Sequence, residues 1–151
     1  MRGSIYDSIK AAVSVAPQSL SGSTAVDGTP AVDTQGYTDA ELHAYGAVAS
    51  GTPSAAALAV TLQESADGST NWANALDNTG VVIGFTLNCL STAADNVARI
   101  EGLGLNRKRY LRAVITPAFT GGTTPAILGF AEIVLGGPAQ QLPVTTQVSN
   151  T

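Results

Sequence analysis

The sequence is poor in the residues on which chemistry usually depends. It has one histidine (His43), one cysteine (Cys89) and one tryptophan (Trp72) in 151 residues. A single cysteine excludes an internal disulfide framework. One His with one Cys cannot assemble a structural zinc site. Cys89 lies in the apolar stretch "FTLNCLST" with no basic neighbour, which predicts a buried, inert thiol. Aromatic residues are only 5% of the chain, which weighs against sugar-binding or single-strand nucleic-acid platforms built on stacking. No apolar run approaches the length of a membrane-crossing helix, and no membrane partner is expected. "AAVSVA" at 11–16 is preceded by Asp7 and followed by Pro17, so it does not read as a signal peptide. Helical periodicity sustained over ten or more residues is also lacking.

What is present is strand and turn material. Hydrophobic residues make up 44% of the chain, mainly Ala, Val, Leu and Ile, and sixteen glycines and seven prolines punctuate it. In 41–50, Leu42, Ala44, Gly46 and Val48 share one face, and Glu41, His43 and Tyr45 the other. "ALAVTLQESADGSTNWANAL" (57–76) reads as a hairpin. Leu58, Val60 and Leu62 alternate with smaller or polar residues, Asp67-Gly68 turns the chain, and Trp72 is expected to anchor one end of the core. "GVVIGFTLNCL" (80–90) predicts a long buried strand, and "VARIEGLGL" (97–105) alternates again. In "KRYLRAVITPAF" (108–119), Leu111, Ala113 and Ile115 face one way, and Tyr110, Arg112, Val114 and Thr116 the other. "AILGFAEIVLGG" (126–137) closes the series.

Seven or eight evenly spaced strands predict an all-β fold, an antiparallel β-sandwich that is jelly-roll-like, with extended N- and C-terminal arms. The expected division is an arm or edge strand over 1–20, the sandwich over 21–137 and a C-terminal arm over 138–151. Pro17 suits an edge strand better than a central one.

Charge is scarce and uneven. Residues 1–98 hold two basic and nine acidic residues, whereas residues 99–151 hold five basic and two acidic. All five of those basic residues, Arg99, Arg107, Lys108, Arg109 and Arg112, fall within "RIEGLGLNRKRYLR". A nucleic-acid site is not expected there. The whole protein is acidic, with a pI near 4.6, and only Tyr110 is interleaved with the cluster. The expected role is contact. Arg107, Lys108, Arg109 and Arg112 are candidates for ion pairs with a neighbouring subunit, because an acidic part and a basic part attract copies head to tail. Arg112 packing its stem on the sheet is the competing reading.

No catalytic residue is assigned. His43 is a lone histidine on a strand face. "GLGLNR" (102–107) has Arg107 where a dinucleotide fingerprint needs its third glycine. No metal ligand or cofactor is expected, although carboxylates from distant strands leave a calcium site open.

Two stretches, "VTLQESADGSTNW" and "RKRYLRAVITPAFTGGTTPAILGFAEIVLGG", resemble small structural proteins encoded in the head modules of tailed bacteriophages. The shared pattern is an L-Q-E-S-x-D-G-S hairpin, an R-Y-x-R-x-x-x-T strand, a Gly/Thr turn, an apolar strand and LGG. It spans about residues 58–137. The first 40 residues match no such pattern. The resemblance implies a capsid decoration (cement) protein: a homo-oligomer, with a trimer favoured, on the outer capsid surface of the virion, made in the host cytoplasm. Its partner would be the major capsid protein, whose neighbouring subunits such proteins clamp, often with terminal arms. On this chain the arm candidates are Ile5, Tyr6 and Ile9 at one end and Leu142, Val144 and Val148 at the other. The alternative is a receptor- or glycan-binding adhesion module, a head fibre or tail component of the particle. A hydrolytic enzyme is a third and weaker reading.

Overall fold

The computed structural model describes residues 9–90, 97–100 and 107–138, with 97–100 and 138 in backbone only. Ten strands follow one another: β1 (Ile9–Ser21), β2 (Val26–Asp27), β3 (Val32–Asp33), β4 (Tyr37–Gly46), β5 (Ala55–Ser65), β6 (Ala73–Asn74), β7 (Gly84–Asn88), β8 (Val97–Ile100), β9 (Tyr110–Thr120) and β10 (Ala126–Pro138). Among the described residues there is no helix.

The strands form two antiparallel sheets, ordered β1-β10-β4-β8 and β2-β9-β5-β6. β3 shares with β2 one edge of β9, and β7 shares with β6 one edge of β5. Counted as strand positions, the first pairs with the last, the second with the next to last, the third with the sixth and the fourth with the fifth. That wiring is a jelly roll.

Alternation builds the core. Leu58, Val60 and Leu62 of β5, Leu111, Ala113 and Ile115 of β9, and Ile127, Ala131, Ile133 and Leu135 of β10 are all buried between the sheets. Each large aliphatic side chain placed there contributes about 1.5–3 kcal/mol relative to exposure. Leu42 and Ala44 of β4 face them as expected, but Val48 lies past the end of the strand and is exposed. The stretch 80–90 is not one buried strand. Asp77 accepts the N–H groups of Thr79 and Val81, fixing a tight turn that holds Val81 and Val82 in solvent, and β7 begins only at Gly84. Trp72 is not a core anchor. It is half-buried on the outer side of its sheet, where Arg112 covers it. Val114 shares the outward face of β9 with Arg112 but is also buried.

β1 is the edge strand of its sheet, and Pro17 sits where its pairing with β10 is interrupted, between Val15 and Gln18. The shift between Val13 and Val15 turns Ser14 inward, fully buried. Its hydroxyl accepts the Ala113 N–H at 2.8 Å, and its carbonyl accepts the Thr29 N–H at 2.8 Å. Gly28 donates to the Ala113 carbonyl across the same seam. A Cβ at Gly28 would meet the Ser14 hydroxyl and the Ala113 carbonyl, so any other residue there forces the seam to shift. The edge strand of one sheet is thereby tied to the other sheet where β2 stops.

The strand register also fixes the two ends of the sandwich. Ile9 lies opposite Gly136, and Pro138 opposite Tyr37, so the chain enters and leaves at the same end. At the opposite end, Ser21 lies opposite Ala126 and Ala55 opposite Thr120.

Candidate functional site

The basic cluster sits at the end where the chain enters and leaves, at the start of β9. Arg109 forks onto Asp33 of β3, with Nε and Nη2 donating to the two carboxylate oxygens at 3.0 and 2.7 Å. The Arg109 guanidinium, by that hydrogen bond, holds the Asp33 carboxyl below its ordinary range. Arg107 lies 3.7 Å from a Glu64 oxygen and donates to the Leu76 carbonyl at 2.5 Å. Lys108 is exposed, and its backbone N–H reaches Glu64.

Arg112 is held on every side. It donates twice to Gln63 Oε1, at 2.9 and 2.7 Å, lies 3.0 Å from Asp27, and stacks 4.4 Å from the centre of the Trp72 ring. Three of the four cations proposed for contact with another subunit therefore have carboxylate partners within their own. Each partner, Glu64, Asp33 and Asp27, comes from the acidic first part of the chain, so three of the basic residues of the second part are neutralised across the fold. The side chain of Arg99 belongs to a segment described in backbone only. Ile5, Tyr6, Leu142, Val144 and Val148 lie outside the described residues. Ile9 opens β1 and is 47% exposed.

His43 lies on the outward face of β4. Its Nε2 is 2.9 Å from Glu41 and its Nδ1 3.3 Å from Glu132 of β10. With both nitrogens against carboxylates, neither is presented to a hydroxyl or thiol nucleophile. Among the described residues, no three His, Cys, Asp or Glu side chains converge as a metal site.

The reading from sequence missed the character of the opposite end. Residues 11–26, 44–63, 78–90 and 113–131 contain no Asp, Glu, Lys, Arg or His. The fold brings the turn after β1, the loop after β4, the end of β7 and the β9–β10 turn together there, so among the described residues that end is uncharged. Four long uncharged runs were a visible signal, but only the strand wiring places them side by side. On this end the outer surface of the β7-β5-β9 sheet opens into a trough of about 480 Å³, lined by Ala55, Ala57, Asn88, Leu90, Ala118 and Phe119 among others.

The fold is an antiparallel jelly-roll sandwich. No protein-family model matches the chain, and no curated protein matches it. Solved structures of virus shells do. A mutant VP2 protein of infectious bursal disease virus, in derived T=1 particles, matches over 89% of this chain at 10% identity, with a TM-score of 0.52. The VP2 subviral particle of the same virus matches over 89% at 10% identity and a TM-score of 0.49. The tobacco streak virus coat protein matches over 96% of both chains at 10% identity and a TM-score of 0.35. The chain spans about a third of the VP2 chains it matches, 34% and 32%. At such identity the likeness to VP2 establishes the fold.

Proposed function

We propose that this protein is a structural component of a virion, one that binds the outer surface of a bacteriophage capsid and stabilises it by bridging neighbouring major capsid protein subunits. The observation that carries the reading is the jelly-roll wiring, shared with a VP2 protein that forms virus particles. The phage-head resemblance of residues 58–137 supports the narrower assignment. So does the placement of the chain ends. Residues 1–8 and 139–151 both depart from one end of one sheet, where two arms can engage the same neighbour. Copies of the chain associate with one another on the capsid, with a trimer favoured.

The mechanism is mass action without turnover. A protein that binds the intact shell and not the disrupted one shifts the equilibrium towards the intact shell. The test is to purify particles with and without the gene product. Stoichiometric incorporation is expected, with loss of resistance to heat and low salt in its absence. A protein missing from purified particles would overturn the proposal. Glycan binding by the isolated domain, with particle stability unaffected, would replace it with the adhesion reading.

A further inference from the structure

We infer that the uncharged trough of the β7-β5-β9 sheet is the docking site for residues 139–151 of a second copy of this chain. The inference rests on the self-association proposed above and supplies its geometry.

Three observations select that occupant. The first is chemistry. The trough is lined by alanine, threonine, asparagine, leucine and phenylalanine, with Leu90 42% exposed and Ala118 also open to solvent. It lies on an end from which charge is absent among the described residues. Charged residues are depleted at the cores of protein interfaces. "AQQLPVTTQVSNT" (139–151) likewise has no charged residue, whereas residues 1–8 carry Arg2 and Asp7.

The second is periodicity. Leu142, Val144, Thr146 and Val148 occupy alternate positions. An extended segment therefore presents all four on one side, as insertion into an apolar trough on a sheet requires.

The third is reach. Residue 139 follows Pro138 at one end of the sandwich, and the trough opens at the other. Thirteen extended residues span about 43 Å, roughly the length of β10 itself. To reach its own trough, the segment would have to reverse at Pro138, cross from one sheet to the other and return the full length of the sandwich. A copy stacked end to end presents its trough directly. Such a contact is heterologous, and it closes into a ring when the rotation between copies allows.

The experiment uses the full chain without capsid. A photo-crosslinking amino acid, p-benzoyl-phenylalanine, replaces Ala118, and isotopically heavy and light copies are mixed before irradiation. The expected product joins the peptide containing position 118 of one copy to residues 139–151 of the other. Sedimentation velocity is run alongside on the wild type, on Ala118→Arg and on a chain ending at Pro138. Both variants are expected to weaken self-association about tenfold or more. An oligomer whose crosslinks fall elsewhere, or within one copy, overturns this docking site and leaves self-association standing. A wild-type chain that stays monomeric at all concentrations overturns this docking site, and association on the capsid is then decided by the particle experiment alone.

Discussion

The guanidinium of Arg112 lies 4.4 Å from the centre of the Trp72 ring while its Nε and Nη2 both donate to Gln63. The side chain is only 15% exposed, so these contacts are shielded from water. Arg112→Ala is expected to cost about 2–3 kcal/mol in urea unfolding, by loss of the charged hydrogen bonds and the cation–π contact. Trp72 is the sole tryptophan, so its fluorescence reports this site alone. Its emission should shift to the red in the folded variant. Arg112→Lys should restore charge but not the planar fork, and should recover only part of the loss. Unchanged stability and emission in Arg112→Ala would show that the arginine is free in solution.

Ser14 and Gly28 close the seam between the sheets. Ser14→Ala leaves the buried Ala113 N–H without its acceptor, an expected cost of about 1–3 kcal/mol. Gly28→Ala brings a methyl against the Ser14 hydroxyl and the Ala113 carbonyl, and should cost about 3 kcal/mol or more. The two changes share a contact, so the double variant should lose less than their sum. Chemical denaturation of all three chains measures this, and strict additivity would count against the seam.

Asp67 caps the β5–β6 hairpin. The Thr70 hydroxyl, followed by the N–H groups of Thr70 and Ser69 and the Ser65 hydroxyl, holds its carboxyl far below the ordinary carboxylate range. A depressed folded-state value means the carboxylate stabilises the fold above the unfolded pKa of about 3.9, and that this contribution fades as pH falls towards the folded value. Asp67→Asn should therefore lower the urea midpoint at pH 7, and the gap to wild type should narrow as the pH is lowered from 5 to 2. A gap independent of pH would show that the charge is not what caps the hairpin.

Cys89 is fully buried, and burial raises its thiol pKa. A thiol-reactive reagent should modify the native protein slowly and the urea-unfolded protein at once, with one thiol per chain. Gly46→Ala places a Cβ 2.7 Å from the Cys89 sulfur, so it should loosen the site and speed native labelling. Fast labelling of the unmodified native protein would contradict this burial.

Local pattern carried much of the architecture. Leu58, Val60 and Leu62 alternate with side chains that need not be buried, and a period of two has one structural meaning, a strand with one face inward. The turn at Asp67-Gly68, the edge position of the Pro17 strand and the inward set Leu111, Ala113 and Ile115 follow from the same local rules, as does the all-β sandwich. The tertiary structure decided what lies across the sheets. Arg109 meets Asp33 from 76 residues away, and Arg112 meets Gln63 from 49 residues away. Nothing local encodes such partners, because the pairing exists only once β3, β5 and β9 lie side by side. For the same reason Trp72, which hydrophobicity alone sends to the core, stays on the outer surface beneath an arginine. The uncharged end is likewise assembled from four separate runs by the jelly-roll wiring. Sequence determined which faces β4, β5 and β9 would turn inward, and the fold determined which residues those faces would meet.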